Sequence, residues 1–236
     1  MDRKTGISVF FPAYNDEVTI QSMVLEIDFI LRGVTDDYEI IVVNDGSRDG
    51  TSAILDELAR RLPRLRVIHH SWNKGYGGSL KTGFTEASKE WIFYTDGDGQ
   101  YDVKEIALLM RHMDDADFIT GYKLNRSDSL IRIIIGKIYH WINKRVFGLK
   151  VRDVDCDFRL IRRRVLEGVK FGTDTGFFPV ELVVRAEERG ARFVEVPVHH
   201  YYRKATGSQF FRISNIIKVA AAMKRFWTEL NACKKH

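Results

Sequence analysis

The amino-acid sequence predicts an α/β fold: a mostly parallel sheet flanked by helices. Three observations carry that expectation. Short β-branched and aromatic runs alternate with segments of helical periodicity through the first half of the chain. Successive strand-like runs end in polar or glycine-rich turns. The 236 residues, 44% of them hydrophobic and 29% charged, suffice for a substantial core of ordinary soluble composition. Strand–helix alternation of this kind favours parallel strands covered on both faces.

Ile7 to Tyr14 reads as the first strand. Glu17 to Val34 follows as a helix whose apolar positions include Ile20, Val24, Ile27 and Leu31. Tyr38 to Val43 is a second strand, running into Asn44-Asp45-Gly46. Asp49 or Thr51 then caps a helix through Leu62, with Ile54, Leu55 and Leu58 inward. Leu65 to His69 gives a third strand, followed by the glycine-rich stretch Asn73 to Gly78 and a helix to about Ser88. Trp91, Ile92, Phe93 and Tyr94 begin a fourth strand, which breaks into Asp96-Gly97-Asp98-Gly99-Gln100 before a helix from about Val103 to Met113. Asp117 to Gly121 reads as a fifth strand.

The second half is less regular. Leu130 to Phe147 is an Ile-rich helical pattern carrying Arg132, Lys137, Lys144 and Arg145. Val151 to Ile161 starts polar and turns strand-like. Phe177 to Arg189 is a helix, and Arg192 to His200 a strand with Phe193, Val194, Val196 and Val198. A loop from Tyr202 to Gln209 leads to a final helix from about Phe210 to Asn231. With no internal repeat or proline-rich linker, the simplest organisation is one compact domain over residues 1–209 and an amphipathic appendage over 210–236.

A formal net charge of +5 points to acidic partners: phosphorylated ligands, nucleic acid or an anionic membrane face. Nucleic acid is disfavoured, because no matching motif accompanies the charge. Two cysteines, Cys156 and Cys233, argue against a disulfide framework and fit a reducing compartment. There is no signal-peptide layout and no apolar run near the roughly 20 residues of a spanning helix. The expectation is a cytoplasmic protein, with any membrane contact at the surface.

Ligand sites in parallel sheets lie beyond the carboxyl ends of the strands, where four polar turns converge here. A buried strand ending in Asp96 and Asp98 brings two carboxylates together, and their repulsion is relieved by a divalent cation. Hard oxygen ligands suit Mg²⁺ or Mn²⁺, which keep one or two carboxylates and complete their shell with substrate phosphates. The same residues also make an ordinary Asp-Gly turn, as Asn44-Asp45-Gly46 does. Asp45 could otherwise hydrogen-bond a nucleobase or ribose edge. Gly75, Gly77 and Gly78 could admit a ligand close to backbone, with phosphate at the helix start. Their spacing matches neither the dinucleotide fingerprint nor the Gly-Lys-Ser/Thr phosphate loop, so a dehydrogenase or ATPase is poorly supported.

Taken together, FFPAYNDE at 10–17, VVNDGSRDGT at 42–51, NKGYGGSL at 73–80 and TDGDGQYD at 95–102 resemble the family 2 glycosyltransferases. VRDVDCDFRLIRR at 151–163 resembles the polyprenyl-phosphate branch, the relatives of dolichol-phosphate mannose synthase. The resemblance spans nearly the whole chain. It implies a GT-A fold, a GDP- or UDP-sugar donor, an Mg²⁺ or Mn²⁺ ion on the diphosphate, and an inverting transfer to a polyprenyl phosphate. Carried over, Pro12, Tyr14, Glu17 and Asp45 hold base and ribose, with Lys74 and Gly97 also on the nucleotide-sugar. Asp96 lies against ribose or sugar, and Asp98 with Gln100 ligates the metal. Arg126, Arg132, Arg159, Arg203 and Lys204 fall where this branch places cations for the acceptor phosphate; for each, a solvated basic surface is the alternative. Asp157, with Asp96 and Arg159, completes the catalytic set, as a base or as an orienter of donor or acceptor. Glu181 matches a recurring acidic position and could equally pair with Arg185.

The final helix gathers Ile213, Ile216, Ile217, Ala220, Met223, Trp227 and Leu230 in one arc, which suits either packing on the core or lying on a membrane. The cationic Ile-rich helix at 130–147 favours the membrane surface. Two other readings remain: a soluble family 2 transferase with a saccharide, protein or small-molecule acceptor, and a non-enzymatic nucleotide-sugar-binding protein. Polysaccharide synthases fit worse, since Ile213 stands where their Q-x-x-R-W pattern has Trp. The sequence leaves the oligomeric state open.

Overall fold

A computed structural model describes residues 5–126, 130–202 and 213–233. Its centre is a seven-stranded sheet of order β3-β2-β1-β4-β6-β5-β7. The strands are β1 (Ile7–Ala13), β2 (Tyr38–Asn44), β3 (Leu65–His69), β4 (Trp91–Thr95), β5 (Phe118–Arg126), β6 (Phe158–Arg162) and β7 (Phe193–His200). The helices are α1 (Ile20–Val34), α2 (Thr51–Arg61), α3 (Tyr76–Glu86), α4 (Ile106–Met110), α5 (Leu130–Phe147), α6 (Phe178–Glu188) and α7 (Ile213–Cys233). The sheet is parallel except for β6, which runs antiparallel between β4 and β5.

Alternation along the central strands builds a core on each face. Ile7, Val9, Phe11 and Ala13 of β1 pack with Leu31 of α1, Leu58 of α2 and Ile106 of α4. Phe10, Ile41, Ile92 and Tyr94 face the other way, against Leu80 of α3, Phe178 of α6 and Phe226 of α7. A period of two in the strands therefore becomes two layers of helices. Helix α3 lies very close to the sheet: a Cβ at Gly83 would fall 2.3 Å from the Phe10 ring. Only glycine fits there.

Chain order makes the site. From β1 the chain steps outward to β2 and β3, then returns to lay β4 on the other side of β1. The direction of winding reverses between β1 and β4, where α/β sheets open a ligand crevice at their carboxyl ends.

Several boundaries differ from expectation. The expected helix from Val103 is a 3₁₀ turn at Val103–Glu105, capped by Asp102 accepting from the Lys104 N–H at 3.0 Å, and then the five-residue α4. Strand β5 continues to Arg126 because β7 pairs along its length, with an irregularity between Lys123 and Arg126. Helix α7 begins at Ile213 among the described residues; the expected start at Phe210 and the 209/210 boundary lie outside them. It docks on the body through Phe226, whose ring is 5.6 Å from Phe147 of α5 and 5.7 Å from Phe177. Val219, Ala222 and Leu230 are buried beside Phe226, while Ile216, Ile217 and Trp227 are exposed. Of the apolar arc read from the sequence, Ile216, Ile217, Ala220 and Trp227 are exposed, Met223 is half-buried and only Leu230 is buried; the docking face, with Val219, Ala222 and Phe226, lies mostly outside that arc.

Candidate active site

Four loops meet at the carboxyl ends of β1, β2, β3 and β4. The turn after β1 holds Asn15 at φ 57°, a left-handed conformation that Asn tolerates. Its N–H donates to Ser47 Oγ at 3.0 Å, and its Oδ1 accepts from the Arg48 N–H at 2.8 Å. Glu17 Oε2 accepts from the Gly50 N–H at 2.6 Å. The first and second loops are therefore zipped together. Pro12 is buried at the end of β1, and half-buried Tyr14 follows it.

Asp45, 3% exposed, ties the second loop to the third. Its carboxylate accepts from the backbone N–H groups of Lys74 at 2.8 Å and Gly75 at 2.9 Å, and its Oδ1 contacts His70 Nδ1 at 2.6 Å. Three of roughly four acceptor sites on an ionised carboxylate are thereby taken. The side chain of Lys74 is exposed, with Nζ 6.0 Å above the Trp72 ring.

The turn after β4 sits against the first loop. The Gly97 N–H donates to the Pro12 carbonyl at 3.1 Å, and Thr19 Oγ1 donates to the Gly97 carbonyl at 2.7 Å. Buried Asp98 accepts from the Gln100 N–H at 3.1 Å. Gln100 is fastened to the end of β7: its Nε2 donates to the Tyr201 carbonyl at 3.1 Å, and the Tyr201 N–H donates to the Gln100 carbonyl at 2.8 Å. The amide nitrogen is committed, which leaves the side-chain oxygen as the end suited to a cation. One carboxylate and one amide oxygen within three residues fit Mg²⁺ or Mn²⁺. Among the described residues no cluster of three or more His, Cys, Asp or Glu is placed to hold a metal ion.

The antiparallel strand β6 completes the site. Its register sets Thr95 of β4 against Phe158, which brings Asp157 beside Asp96 at the carboxyl end of β4. A parallel β6 would put Asp157 at the far end of the sheet. Tyr94 Oη donates to Asp157 Oδ1 at 3.0 Å. Burial pushes the Asp157 carboxyl above its ordinary range, against the pull of the Arg159 charge and the Tyr76 hydroxyl.

Arg159 lies beneath this group with no exposure. Its guanidinium donates to Tyr94 Oη at 2.8 Å, to the Val154 carbonyl at 2.5 Å and to Thr120 Oγ1 at 3.3 Å. The expected contact with an acceptor phosphate is therefore not what this side chain offers. A fully enclosed fork with its donors committed supports Tyr94 and Asp157 instead. Of the other expected acceptor cations, Arg126 ends β5 opposite His200 and Arg132 lies in α5, their side chains outside the described set. Arg203 and Lys204 lie outside the described residues.

Glu181, 1% exposed, pairs directly with backbone. Its Oε1 accepts from the Gly172 N–H at 2.7 Å and its Oε2 from the Thr173 N–H at 3.0 Å, while Arg185 hydrogen-bonds Glu188 at 3.3 Å and Glu229. Sequence reasoning missed Tyr76, Tyr94 and Lys123. Tyr76 Oη donates to Asp96 Oδ1 at 2.7 Å. Lys123, its side chain 6% exposed, donates to the Asp155 carbonyl at 2.6 Å and pairs with Asp153 at 3.7 Å. Both tyrosines occupy motifs already singled out, NKGYGGSL and the β4 run, where aromatic character masked the polar tip. Two hollows of about 420 and 520 Å³ lie at strand starts, beside Tyr38 and Trp91, away from this rim.

The comparisons agree with the geometry. Two crystal structures of glucosyl-3-phosphoglycerate synthase from Mycobacterium tuberculosis share the fold. The complex with uridine diphosphate gives a TM-score of 0.70 at 16% identity, covering 94% of this chain and 80% of that one. The complex with Mn²⁺, uridine diphosphate and glucosyl-3-phosphoglycerate gives 0.69 at 17%, covering 93% and 78%. Undecaprenyl-phosphate 4-deoxy-4-formamido-L-arabinose transferase of Yersinia pestis is 26% identical over 216 residues, 89% of this chain. The chain spans 65% of that relative's length. The model of glycosyl transferase family 2 matches residues 8–169, more than half of the chain, and the protein belongs to that family.

Proposed function

We propose that the protein is a metal-dependent inverting glycosyltransferase that moves a sugar from a UDP- or GDP-sugar to a polyprenyl phosphate at the cytoplasmic face of a membrane. The observation that carries this reading is the similarity, over 89% of the chain, to transferases named for undecaprenyl phosphate. In this reading Pro12, Tyr14 and Glu17 line the base and ribose pocket, and Asp45 shapes it through the loop from Lys74. Asp98 and Gln100 would hold the ion, which when bound supplies Lewis-acid neutralisation of the departing diphosphate. Asp96 faces the sugar end of the donor beside Gly97. Asp157, held by Tyr94, orients acceptor against donor for in-line displacement at the anomeric carbon. A phosphate acceptor arrives ionised, so positioning and electrostatics suffice without a strong base. Arg126, Arg132, Arg203 and Lys204 supply the acceptor-phosphate cations, for which the arginine fork is well suited.

The outward faces of α5 and α7 support the membrane side of the reading. On α5, Ile138 and Trp141 are 54% and 66% exposed beside exposed Lys137, Lys144 and Arg145. On α7, Ile217 and Trp227 are 63% and 49% exposed beside Lys218 and Lys224. No helix of the described residues is long and apolar enough to cross a membrane.

The test is nucleoside diphosphate release from a panel of UDP- and GDP-sugars with Mn²⁺ and a short polyprenyl phosphate. Release by one donor that requires both lipid and metal is expected. Turnover with that donor in the absence of lipid, onto a saccharide or small molecule, would overturn the acceptor assignment.

A further inference from the structure

The β4–β6 pairing sets Asp96 beside Asp157, and two carboxylates so close repel unless a donor lies between them. Tyr76 is that donor. Its hydroxyl donates its one proton to Asp96 Oδ1 at 2.7 Å. Burial, with the Asp157 and Asp96 charges, keeps the phenol protonated and able to donate.

Tyr76 is held from outside its own helix. It is the first residue of α3, and that end of α3 packs against a strap at residues 172–175. The Gly77 N–H donates to the Asp174 carbonyl at 3.1 Å, and a Cβ at Gly77 would fall 2.5 Å from the Asp174 carbonyl carbon. Lys81 Nζ reaches Asp174 Oδ1 at 2.5 Å. The strap is fixed in turn by Glu181, whose two oxygens take the Gly172 and Thr173 N–H groups, and by the Thr173–Thr175 hydroxyl contact at 2.9 Å. A buried carboxylate held by two backbone N–H groups is a costly feature to keep without a task.

We propose that Tyr76 is a positioning residue for sugar transfer, fixing Asp96 towards the sugar end of the donor, and that Glu181 and the 172–175 strap hold Tyr76 in place. This rests on the donor-site reading above. The hydroxyl acts on the carboxylate that meets the sugar, so its effect should fall on turnover of the nucleotide-sugar and not on diphosphate binding.

Tyr76→Phe keeps the ring in its packing and removes the donor alone. With UDP–Mn²⁺ and GDP–Mn²⁺ as calorimetric probes, the variant should bind the wild type's preferred diphosphate within about twofold. Its kcat/KM for the matching nucleotide-sugar should fall by about 10- to 100-fold, the range for a hydrogen bond to a charged group. Glu181→Gln leaves every site group in place and loosens only the strap; a milder form of the same split is expected, with the thermal midpoint measured alongside. Unchanged kcat/KM in Tyr76→Phe, or parallel loss of diphosphate binding and turnover, would overturn the assignment of Tyr76. A Glu181→Gln protein with a lower midpoint and normal kcat/KM would overturn the role of the strap. If the wild-type chain itself binds neither diphosphate and turns over no donor, the donor-site reading fails first.

Discussion

Arg159 illustrates what a single residue does beneath a site it does not touch. A guanidinium with no exposure is tolerated only when its charge is paired and its donors are occupied. Asp157 lies 3.9 Å away, and Tyr94 Oη with two backbone carbonyls takes the fork. Lysine carries the same charge without the fork and leaves several of these acceptors unsatisfied. Arg159→Lys is therefore expected to lower unfolding free energy by about 2–4 kcal/mol in a urea titration, while KM for the polyprenyl phosphate of the proposed function stays near the wild-type value. A large rise in acceptor KM with unchanged stability would restore a direct phosphate contact. Asp96, Asp98 and Gln100 could be singled out in the sequence because closely spaced oxygen ligands end an apolar strand beside three other polar strand ends, although alone they also make an ordinary turn. Tyr76 and Tyr94 were not, since a tyrosine in an apolar run gives no sign of whether its hydroxyl finds a partner.

At the scale of elements, the first half of the sheet follows from periodicity and the second half does not. Strands β1, β2 and β4 are buried almost throughout and β3, at the sheet edge, only in part; their parallel direction follows from the alternation with helices. Strand β6 has the same kind of sequence, but nothing local states its direction, and only the intervening α5 and its return path make it antiparallel. The placement of Asp157 was therefore readable by family resemblance and unreadable by pattern. One residue fastens this second half: Asp117, just before β5. Its carboxylate takes Arg164 at 2.7 Å, Arg192 at 3.1 Å and Arg162 at 3.6 Å, tying β5 to the β6 end and the β7 start. Burial alone would raise its pKa, but hydrogen bonds from Arg192 and Arg164 hold it well below the ordinary carboxylate range. A depressed folded pKa contributes stability above the unfolded value near 3.9, and that stability is lost as pH falls through the folded one. Asp117→Asn should then cost about 1–3 kcal/mol at neutral pH, with the gap from wild type narrowing below about pH 4 in thermal melts taken across the range. A gap that is constant with pH would exclude the ion-pair account.

For the molecule as a whole, α5 and α7 carry exposed apolar residues beside cations. Each helix gives one side to the core and the other to solvent. On α7 the inward side is Val219, Ala222, Phe226 and Leu230, and on α5 it includes Asn143 and half-buried Tyr139 and Phe147. Phe147 and Phe226 meet at 5.6 Å, so the two helices are neighbours, and each carries an exposed tryptophan, Trp141 and Trp227. Apolar residues left exposed between cations are the pattern that binds an anionic lipid surface, each Lys or Arg near it contributing about 1 kcal/mol. Such binding weakens with salt as the charges are screened. Trp141→Glu combined with Trp227→Glu is expected to abolish cosedimentation with anionic vesicles at low salt and to leave the melting temperature unchanged, because both side chains are largely outside the core. Phe226→Ala on the inward side should do the reverse, costing about 3–5 kcal/mol of stability, since it opens a cavity between α5, α6 and α7. If the double glutamate variant pellets with vesicles as the wild type does, the outward faces are solvent surface and the membrane side of the proposed function fails.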